Sequence, residues 1–309
     1  MTRIRVATRA SELALWQARL IAGRIERELG VETELLPMKT TGDRLRGSLA
    51  TVGGKGLFVK EIEEALIEGR ADLAVHSAKD LPAVIPAGLA LVAFPERADP
   101  RDALVARQRG ASIASLPSGA RVGTGSVRRG AQLRAARPDL EIVPLRGNLP
   151  TRLRKLESES LDAIVLACAG LDRLDLADRI DERIAPERML PAVAQGALAL
   201  EARAGDSLAD DLKCLNDRLT ADRVTAERAF LSALGGDCNT PLAALAEAGP
   251  NGSLVLRALL AATDGRRILR HRAEAPATDA QRLGSEAAAA IRESGGEELL
   301  AEMAPQGAS

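Results

Sequence analysis

The sequence predicts an α/β protein with more than one hydrophobic core. Its 309 residues are 46% hydrophobic, which is enough for about two or three domains at roughly 150 residues each. Apolar runs of strand length alternate with segments whose apolar residues recur at helical spacing, and this alternation favours a mostly parallel sheet. The charged segment 96–102 contains Pro100 and separates two such series, so it predicts a hinge or a domain boundary.

The first series covers the first 94 residues and opens with a predicted strand at 3–8. Ser11 can then cap a helix whose apolar residues recur about every 3.6 positions, until Gly30 ends it. The remaining predicted elements are strands at 33–38, 71–75 and 89–94 and a helix at 57–67.

The second series begins at residue 121. Its predicted elements are strands at 121–123, 142–145 and 163–167, helices at 126–136 and 149–156, a crossing segment with a strand at 191–201, and helices at 207–219 and 221–234. After a turn at 250–252, two strands at 254–262 and 267–273 and a helix at 279–292 predict a small C-terminal α/β domain.

Composition argues against several classes of protein. A net charge of −1 and only 1% aromatic residues give nucleic acid neither an attractive field nor stacking platforms. The chain lacks both a signal-like start and a run of about 18 apolar residues, so we expect no export and no membrane span. Its three cysteines fit a reducing compartment, which makes the cytoplasm the expected location. The two histidines are far apart, and no metal site is expected.

Basic residues concentrate between positions 121 and 155, where nine occur with only two acidic ones. Several of them follow predicted strands at the start of helices, where unpaired backbone N–H groups also point at a ligand. Arginine forks match carboxylates, so we expect a site for a ligand with several carboxylates. The alternative is a solvated basic helix face. The candidate residues are Thr124, Ser126, Arg128, Arg129, Arg146, Arg152 and Arg173.

A glycine-rich segment at 52–60 carries Lys55. It superficially resembles a P-loop, but Gly56 follows Lys55 where that motif requires a hydroxyl, which argues against nucleotide hydrolysis. We expect this segment to be a lid or an anion contact, with an ordinary loop as the alternative.

The strand predicted at 71–75 is followed by His76, Ser77, Lys79 and Asp80. A carboxylate at a strand end, near cations, can stabilise a developing positive charge or transfer protons. A structural salt bridge explains the same pattern equally well.

Cys238 lies in a polar, glycine-rich turn at 235–241. Cys168, by contrast, lies in an apolar strand, where a free cysteine is usually buried and inert. We therefore regard Cys238 as a candidate nucleophile or point of covalent attachment.

Taken together, these motifs resemble the porphobilinogen deaminase (hydroxymethylbilane synthase) family of tetrapyrrole and heme biosynthesis. They occur in the family's order along essentially the whole chain, and the ordered set is far more specific than any one motif. The matching stretches are ATRASELALWQ (7–17), VGGKGLFVKE (52–61), DLAVHSAKDLP (72–82), GTGSVRR (123–129), LRGN with Thr-Arg (145–152), AGLDR (169–173), PAVAQGA (191–197) and GGDCNTP (235–241).

The resemblance implies a transferase that joins four porphobilinogen molecules head to tail, releases ammonia and hydrolyses off linear hydroxymethylbilane. It implies a dipyrromethane cofactor held by a thioether to Cys238. Asp80 would be the catalytic residue that stabilises the cationic pyrrole and assists proton transfer. The residues implied to bind cofactor and substrate are Arg9, Ser11, Gln17, Lys55, Phe58, Ser77, Lys79, Thr124, Ser126, Arg128, Arg129, Arg146, Arg152, Arg173 and Gln195.

The fold implied by the resemblance has two lobes like those of periplasmic binding proteins, with mixed sheets, and a smaller C-terminal α/β domain. The expected domains are 1–97 with 196–217, then 101–191, then 220–309. We expect a monomer that binds porphobilinogen and neither nucleic acid nor membrane.

The chain departs from the family pattern at Thr51, where many members have Lys, and at Gly125, where many have Ser. Thr51 therefore receives no role, and one hydroxyl contact beside Thr124 is missing. The alternative function is a non-catalytic two-lobe module that binds or senses a carboxylate metabolite. Cys238 separates the two hypotheses, because a binding module needs no covalent attachment point.

Overall fold

A computed structural model describes residues 3–44, 59–237 and 239–303. The chain divides into two compact units. The first comprises Met1–Asp99 and Gln195–Ala221, and the second comprises Pro100–Ala194 and Asp222–Ser309. One boundary therefore lies inside the charged segment 96–102.

The secondary structure alternates strands and helices along most of the chain. Up to residue 99 the elements are β1 (Arg3–Arg9), α1 (Glu12–Leu29), β2 (Glu32–Met38), α2 (Thr41–Arg44), α3 (Lys60–Ile67), β3 (Leu73–Ser77) and β4 (Leu89–Ala93). From 100 to 194 they are β5 (Asp102–Ala106), β6 (Arg121–Thr124), α4 (Val127–Ala136), β7 (Glu141–Pro144), α5 (Leu149–Ser158), β8 (Ala163–Ala167), α6 (Cys168–Arg173) and β9 (Glu182–Ile184). From 195 onward they are β10 (Leu198–Arg203), α7 (Ser207–Asp211), α8 (Arg218–Leu234), β11 (Leu242–Ala248), β12 (Ser253–Ala261), β13 (Ile268–Pro276), α9 (Ala280–Ile291) and α10 (Glu297–Met303).

The first unit is built on a five-stranded sheet of order β2-β1-β3-β10-β4. β1 is parallel to β2 and β3, whereas β10 is antiparallel to β3 and β4. One apolar cluster packs α1 against the sheet through Ile21 and Ile25, and another packs α3 through Ile62 and Leu66. Both faces of the sheet are thus covered, in keeping with the apolar residues that dominate the central strands β3 and β10.

The second unit contains a five-stranded sheet of order β7-β6-β8-β5-β9. β6 is parallel to β7 and β8, while β5 is antiparallel to β8 and β9. This is the same arrangement as in the first sheet: three parallel strands, then one strand antiparallel to both of its neighbours, then an outer strand. The sequence shows no repeat, so only the pattern of strand pairing reveals the similarity.

A smaller antiparallel sheet of order β11-β12-β13 also belongs to the second unit, and α9 packs against β12 and β13. Leu245 and Leu259 of this sheet share an apolar cluster with Ala131 of α4 and Leu190. The predicted fold class, α/β with mixed sheets and a smaller C-terminal α/β region, is confirmed. The division of the second unit into two domains stays a prediction.

Several predicted elements need correction. The alternation suggested mostly parallel sheets, but β4, β5, β9 and β10 introduce antiparallel pairs. Strands β5 and β11 were not predicted. The helix predicted at 207–219 ends at Asp211, and α8 begins at Arg218 because Asp217 accepts a hydrogen bond from Thr220 N at 2.7 Å. The predicted helix start at 57–58 lies outside the described residues.

Candidate active site

A cavity in the first unit opens where β1 and β3 end and α1 begins. Its walls are formed by Arg9, Ser11, Leu13, Ala14, Gln17, Val59, Val75, His76, Ser77 and Asp80. Five predicted site residues, from separate parts of the sequence, therefore meet in one place. The apolar wall residues and His76 were not predicted to belong to the site.

Local structure explains how these residues meet. β1 and β3 are parallel neighbours, so Arg9 and Ser77, the last residues of the two strands, lie at the same edge of the sheet. Ser11 caps α1, and its Oγ accepts a hydrogen bond from Ala14 N at 3.3 Å. A 3-10 turn directly after β3 then brings Asp80 to this edge.

Asp80 faces a cation within the cavity. Its Oδ2 lies 3.8 Å from Arg9 Nη1, and the side chains of Asp80 and Arg9 are 35% and 25% exposed. At this distance and exposure the pair is a loose ion pair, which contributes little to folding stability. The carboxylate therefore remains accessible for a cationic or proton-donating ligand.

A buried amide fixes the wall next to Asp80. Gln17 is 2% exposed, and its Nε2 donates to Ser77 Oγ at 3.0 Å. The Ser77 hydroxyl also lies within hydrogen-bond distance of Gln17 Oε1, at 3.1 Å. Both predicted residues thus hold α1 against β3 and leave Ser77 partly exposed at the cavity.

Lys79 follows the same strand end but contacts a different segment. Its Nζ donates to Oε1 of the buried Gln195 at 3.3 Å, and the Gln195 carbonyl accepts a hydrogen bond from Arg97 Nε at 2.8 Å. Gly196 has a φ of +88°, and a Cβ there would lie 2.5 Å from the Ala98 carbonyl oxygen. Only glycine permits the two crossing segments to approach this closely.

Three titratable residues lie buried beside the cavity wall. His76 Nε2 is 2.9 Å from Oε2 of Glu201, which is fully buried on β10. Burial raises the pKa of Glu63, on α3, to about 7; the charge of Glu201 adds to this rise and His76 opposes it. Glu201, which interrupts the apolar run of β10, was the sequence signal that could have pointed to this group; Glu63 lies among other charged residues and gave none.

In the second unit, the predicted anion-binding residues follow three neighbouring strands. β7, β6 and β8 are parallel and adjacent, so their carboxyl ends share one edge. Thr124 and Ser126 follow β6, and Ser126 caps α4 by accepting from Arg129 N at 3.4 Å. Thr124 Oγ1 accepts from Ser126 N at 3.2 Å.

Arg128 and Arg129 are buried and hold an internal carboxylate. Both donate to Asp102, Arg128 through Nη1 at 2.7 Å and Arg129 through Nη2 at 2.7 Å. They also donate to the carbonyls of Leu190 and Val165. Their side chains are only 4% and 6% exposed, so in this structure their first partners are protein groups. Their predicted role in binding substrate carboxylates stays a prediction.

Arg146, Arg152 and Arg173 are placed differently. Arg146 is half-buried and has neither a hydrogen bond nor an ion pair within residues 3–44, 59–237 and 239–303. Arg152 Nε donates to the Gly147 carbonyl at 2.7 Å. Burial lowers the pKa of Arg173 to about 10, although Asp172 opposes the shift. Arg173 therefore stays cationic at neutral pH, in surroundings that favour an anionic partner.

Comparison with known proteins decides the family. Residues 4–211 match the family model described as porphobilinogen deaminase, dipyromethane cofactor binding domain, and residues 221–293 match the model of its C-terminal domain. The curated porphobilinogen deaminase of Syntrophotalea carbinolica is 50% identical over 301 residues, covering 96% of this chain and 95% of the relative. The chain belongs to the porphobilinogen deaminase family. A second relative, from Geobacter sulfurreducens, is 46% identical over 98% of this chain and 95% of its own length.

Solved structures provide a more distant comparison for this porphobilinogen deaminase family member. The Bordetella pertussis BvgS periplasmic VFT2 domain is similar at a TM-score of 0.41 and 17% identity, covering 69% of this chain and 86% of its own. A Salmonella typhimurium periplasmic binding protein of high arginine specificity is similar at a TM-score of 0.40 and 14% identity, covering 72% and 94%.

The predicted attachment point Cys238 lies outside the described residues, as do Lys55, Phe58 and the departure at Thr51. The flanking residues do form a defined turn after α8. Asp237 Oδ1 accepts from Asn239 N at 2.9 Å, and Thr240 N donates to the Asp237 carbonyl at 3.1 Å. The C-terminal family model spans this turn.

The described part of the chain contains neither a membrane-spanning helix nor a metal-binding cluster. No helix there is both long and apolar enough to cross a membrane. Nor do three or more His, Cys, Asp or Glu side chains there come together in a way that could hold a metal ion. Of the described cysteines, Cys168 is buried and Cys214 is exposed, and neither is in a disulfide.

Proposed function

We propose that the chain condenses four porphobilinogen molecules head to tail, releases ammonia and hydrolyses the product to free hydroxymethylbilane. The observation that carries this proposal is the cavity in which Asp80 faces Arg9, in a chain that matches the porphobilinogen deaminase family models over residues 4–211 and 221–293. Loss of ammonia from porphobilinogen leaves a cationic pyrrole. Asp80 is exposed enough to approach that cation and stabilise it, and to accept the proton lost in coupling.

The arginines would pair with the negatively charged carboxylates of the substrate. Each porphobilinogen carries an acetate and a propionate group, so a growing chain brings many carboxylates. Arg146 has no partner among the described residues, and the pKa of Arg173 is lowered by burial, so both gain from an anionic ligand. Their position after β7 and β8 supports carboxylate binding at this sheet edge.

The residues present also fit a dipyrromethane cofactor, because its carboxylates require cationic and hydroxyl donors. Each unit by itself offers such donors: Arg9, Ser11 and Lys79 in the first, and the arginines that follow β7 and β8 in the second. When bound, the cofactor supplies the pyrrole to which the first porphobilinogen is joined. Cys238 would hold it through a thioether.

The same proposal includes further binding residues, the domain division, the oligomeric state and the location in the cell. Lys55 and Phe58 would contact substrate, and Thr124, Ser126, Arg128, Arg129 and Arg152 would complete the carboxylate site. The chain would fold as three domains, with residues 220–309 as the third. It would act as a monomer, which size-exclusion chromatography with light scattering can test. It would work in the cytoplasm, in keeping with two described cysteines, Cys168 and Cys214, that are not in disulfides.

Intact mass distinguishes this enzyme from a non-catalytic module that binds a carboxylate metabolite. Protein purified from cells that make porphobilinogen, then denatured, should be heavier than its sequence mass by one dipyrromethane. Cys238→Ser should lose this added mass, because a hydroxyl is a much poorer nucleophile than a thiolate. The matched variants Cys168→Ser and Cys214→Ser should keep it. A bare polypeptide mass in the unaltered protein would favour the binding module.

A further inference from the structure

Glu63, His76 and Glu201 form a titratable group that the proposed chemistry does not yet use. His76 and Glu201 are 5% and 0% exposed and are joined at 2.9 Å. Glu63 is 8% exposed and belongs to the face of α3 that packs on the sheet. Oε1 of Glu63 and Oε1 of Glu201 are buried and have no hydrogen-bond partner within the described ranges. Such atoms are costly unless a proton reduces their charge.

The charge balance of the group requires that proton. The charges of Glu201 and His76 both act on Glu63, and α3, which carries Glu63, packs on the sheet through an apolar cluster that contains Ile62, Leu66, Ala74 and Leu89. Even with His76 protonated, one negative charge remains without compensation. A proton on Glu63 removes it, in agreement with its pKa of about 7.

Other charged groups near α3 have partners of their own. α3 packs against β1, β3, β4 and β10. Besides His76 and Glu201, the charged residues of these strands are Arg3, Arg5, Arg9 and Arg203. Arg3 pairs with Glu32, Arg5 and Arg203 pair with Asp72, and Arg9 faces Asp80. Glu201 and His76 are accordingly the residues whose charges act on Glu63.

The group lies next to the cavity. His76 lies on β3, four residues before Asp80, and both residues line the cavity wall. Solvent in the cavity can therefore carry a proton between the imidazole and the Asp80 carboxylate.

The proposed reaction needs a place to keep a proton. Each condensation breaks the C–N bond of an aminomethyl group, forms a C–C bond to the acceptor pyrrole and breaks the C–H bond at that carbon. The proton lost from carbon is matched by the proton that leaves with ammonia, so no proton is gained or lost overall. Asp80 can hold only one proton, and these two bond changes do not coincide.

We propose that Glu63, His76 and Glu201 form a buried proton-holding cluster that serves Asp80 between successive bond changes. The cluster takes a proton that Asp80 has accepted from the pyrrole carbon and returns it for the departure of ammonia. The three residues do not touch the substrate; they act through Asp80. This inference rests on the proposed function.

Infrared titration tests the cluster without substrate. The folded protein should show the carbonyl stretch of a protonated carboxylic acid that titrates with a midpoint near the pKa of about 7. Glu63→Gln should remove this band, since the amide mimics the protonated acid in shape but does not titrate. Glu64→Gln, on the exposed side of the same helix, should keep it. Absence of the band from the unaltered protein would overturn the inference, whether or not the variant folds.

Ammonia release as a function of pH tests the link to catalysis. In Glu63→Gln, kcat should fall about tenfold, less than the 10²–10⁴ expected of a group that transfers the proton directly to substrate, and KM should not change. The step near pH 7 in the kcat profile should disappear, whereas Glu64→Gln should keep it. A Glu63→Gln profile identical to that of Glu64→Gln would overturn the inference alone. Failure of the unaltered protein to consume porphobilinogen would overturn the proposed function and this inference together.

Discussion

Arg9 Nη1 lies 3.8 Å from Asp80 Oδ2, and each side chain is more than 60% buried without being sealed from solvent. The distance is longer than that of a direct hydrogen bond. The pair therefore has the geometry of two groups that share a ligand site rather than of a structural bridge. This geometry supports the catalytic interpretation of Asp80, which stays a prediction.

Asp80→Asn should leave the fold intact and abolish most turnover. The loose pair contributes at most about 1 kcal/mol to stability, so the urea midpoint should hardly move. Turnover should fall by about 10² or more, since a neutral amide cannot stabilise a cationic pyrrole or accept its proton. Asp210→Asn, at an exposed pair with Lys213 in the same unit, is the matched control and should retain full activity. Near-normal turnover in Asp80→Asn would indicate that Asp80 only forms a structural salt bridge.

Arg128→Ala should lower the stability of the protein as well as its activity. Asp102 is fully buried, and removing one of its two arginine partners exposes its charge to an apolar interior. Breaking a buried pair in this way costs roughly 3–5 kcal/mol. Urea unfolding monitored by circular dichroism measures the loss. A change below about 1 kcal/mol would mean that Arg129 alone compensates Asp102.

Arg146→Ala should have the opposite profile, with normal stability and weaker substrate binding. Arg146 makes neither a hydrogen bond nor an ion pair within the described structure, so the free energy of unfolding should stay within about 0.5 kcal/mol. A lost charge-assisted contact to a carboxylate is worth about 1.5 kcal/mol or more, so KM should rise about tenfold. Arg154→Ala, an exposed arginine on α5, should leave KM unchanged. Equal KM values in the two variants would exclude Arg146 from the carboxylate site.

Gly125 is one of the two positions at which we expect this chain to depart from the family pattern, and the backbone here favours a glycine. A Cβ at this position would lie 2.5 Å from the Leu145 carbonyl oxygen. Gly125→Ser should therefore force the turn between β6 and α4 away from Leu145, at a cost of about 1–3 kcal/mol. Gly23→Ser, with no atom within 4 Å of the added Cβ, is the control for the substitution itself. An equally stable Gly125→Ser would show that this turn readily moves aside.

Local signals in the sequence predicted much of the fold. Ser11 and Gly30 cap α1 as expected, and the apolar run at Ala163–Ala167 is β8 with the predicted bounds. β11 was not predicted, because its sequence LAALAEA is rich in Ala and Leu, which have high helix propensity. Pairing with β12 along its whole length overrides that local preference. Long-range pairing of this kind has no signature within the strand itself.

The sequence predicted the positions of the candidate site residues at the strand ends. It did not predict which side chains would be their hydrogen-bond and ion-pair partners. Residues that follow β1 and β3 share a sheet edge, as the parallel pairing requires. Nothing local could show that Asp102, at the end of a charged segment, holds Arg128 and Arg129. Nor could it show that Glu63 and Glu201, 138 residues apart in the chain, lie close enough for their charges to interact. These relationships arise from strand order, and only the folded sheet reveals them.

Glu63 should make the stability of the protein depend on pH. Its pKa is about 7 in the fold, against an ordinary 4.5, so between these values the folded state holds more protons than the unfolded state. The free energy of unfolding should therefore fall as pH rises from about 4.5 through about 7. The Glu63→Gln variant has no titratable group at this position, so its free energy of unfolding should fall less over this pH range. The variant Glu64→Gln, at an exposed position, should behave like the unaltered protein. Urea midpoints at about pH 5 and about pH 8 measure the difference, and parallel midpoints in all three proteins would place the Glu63 pKa at its ordinary value.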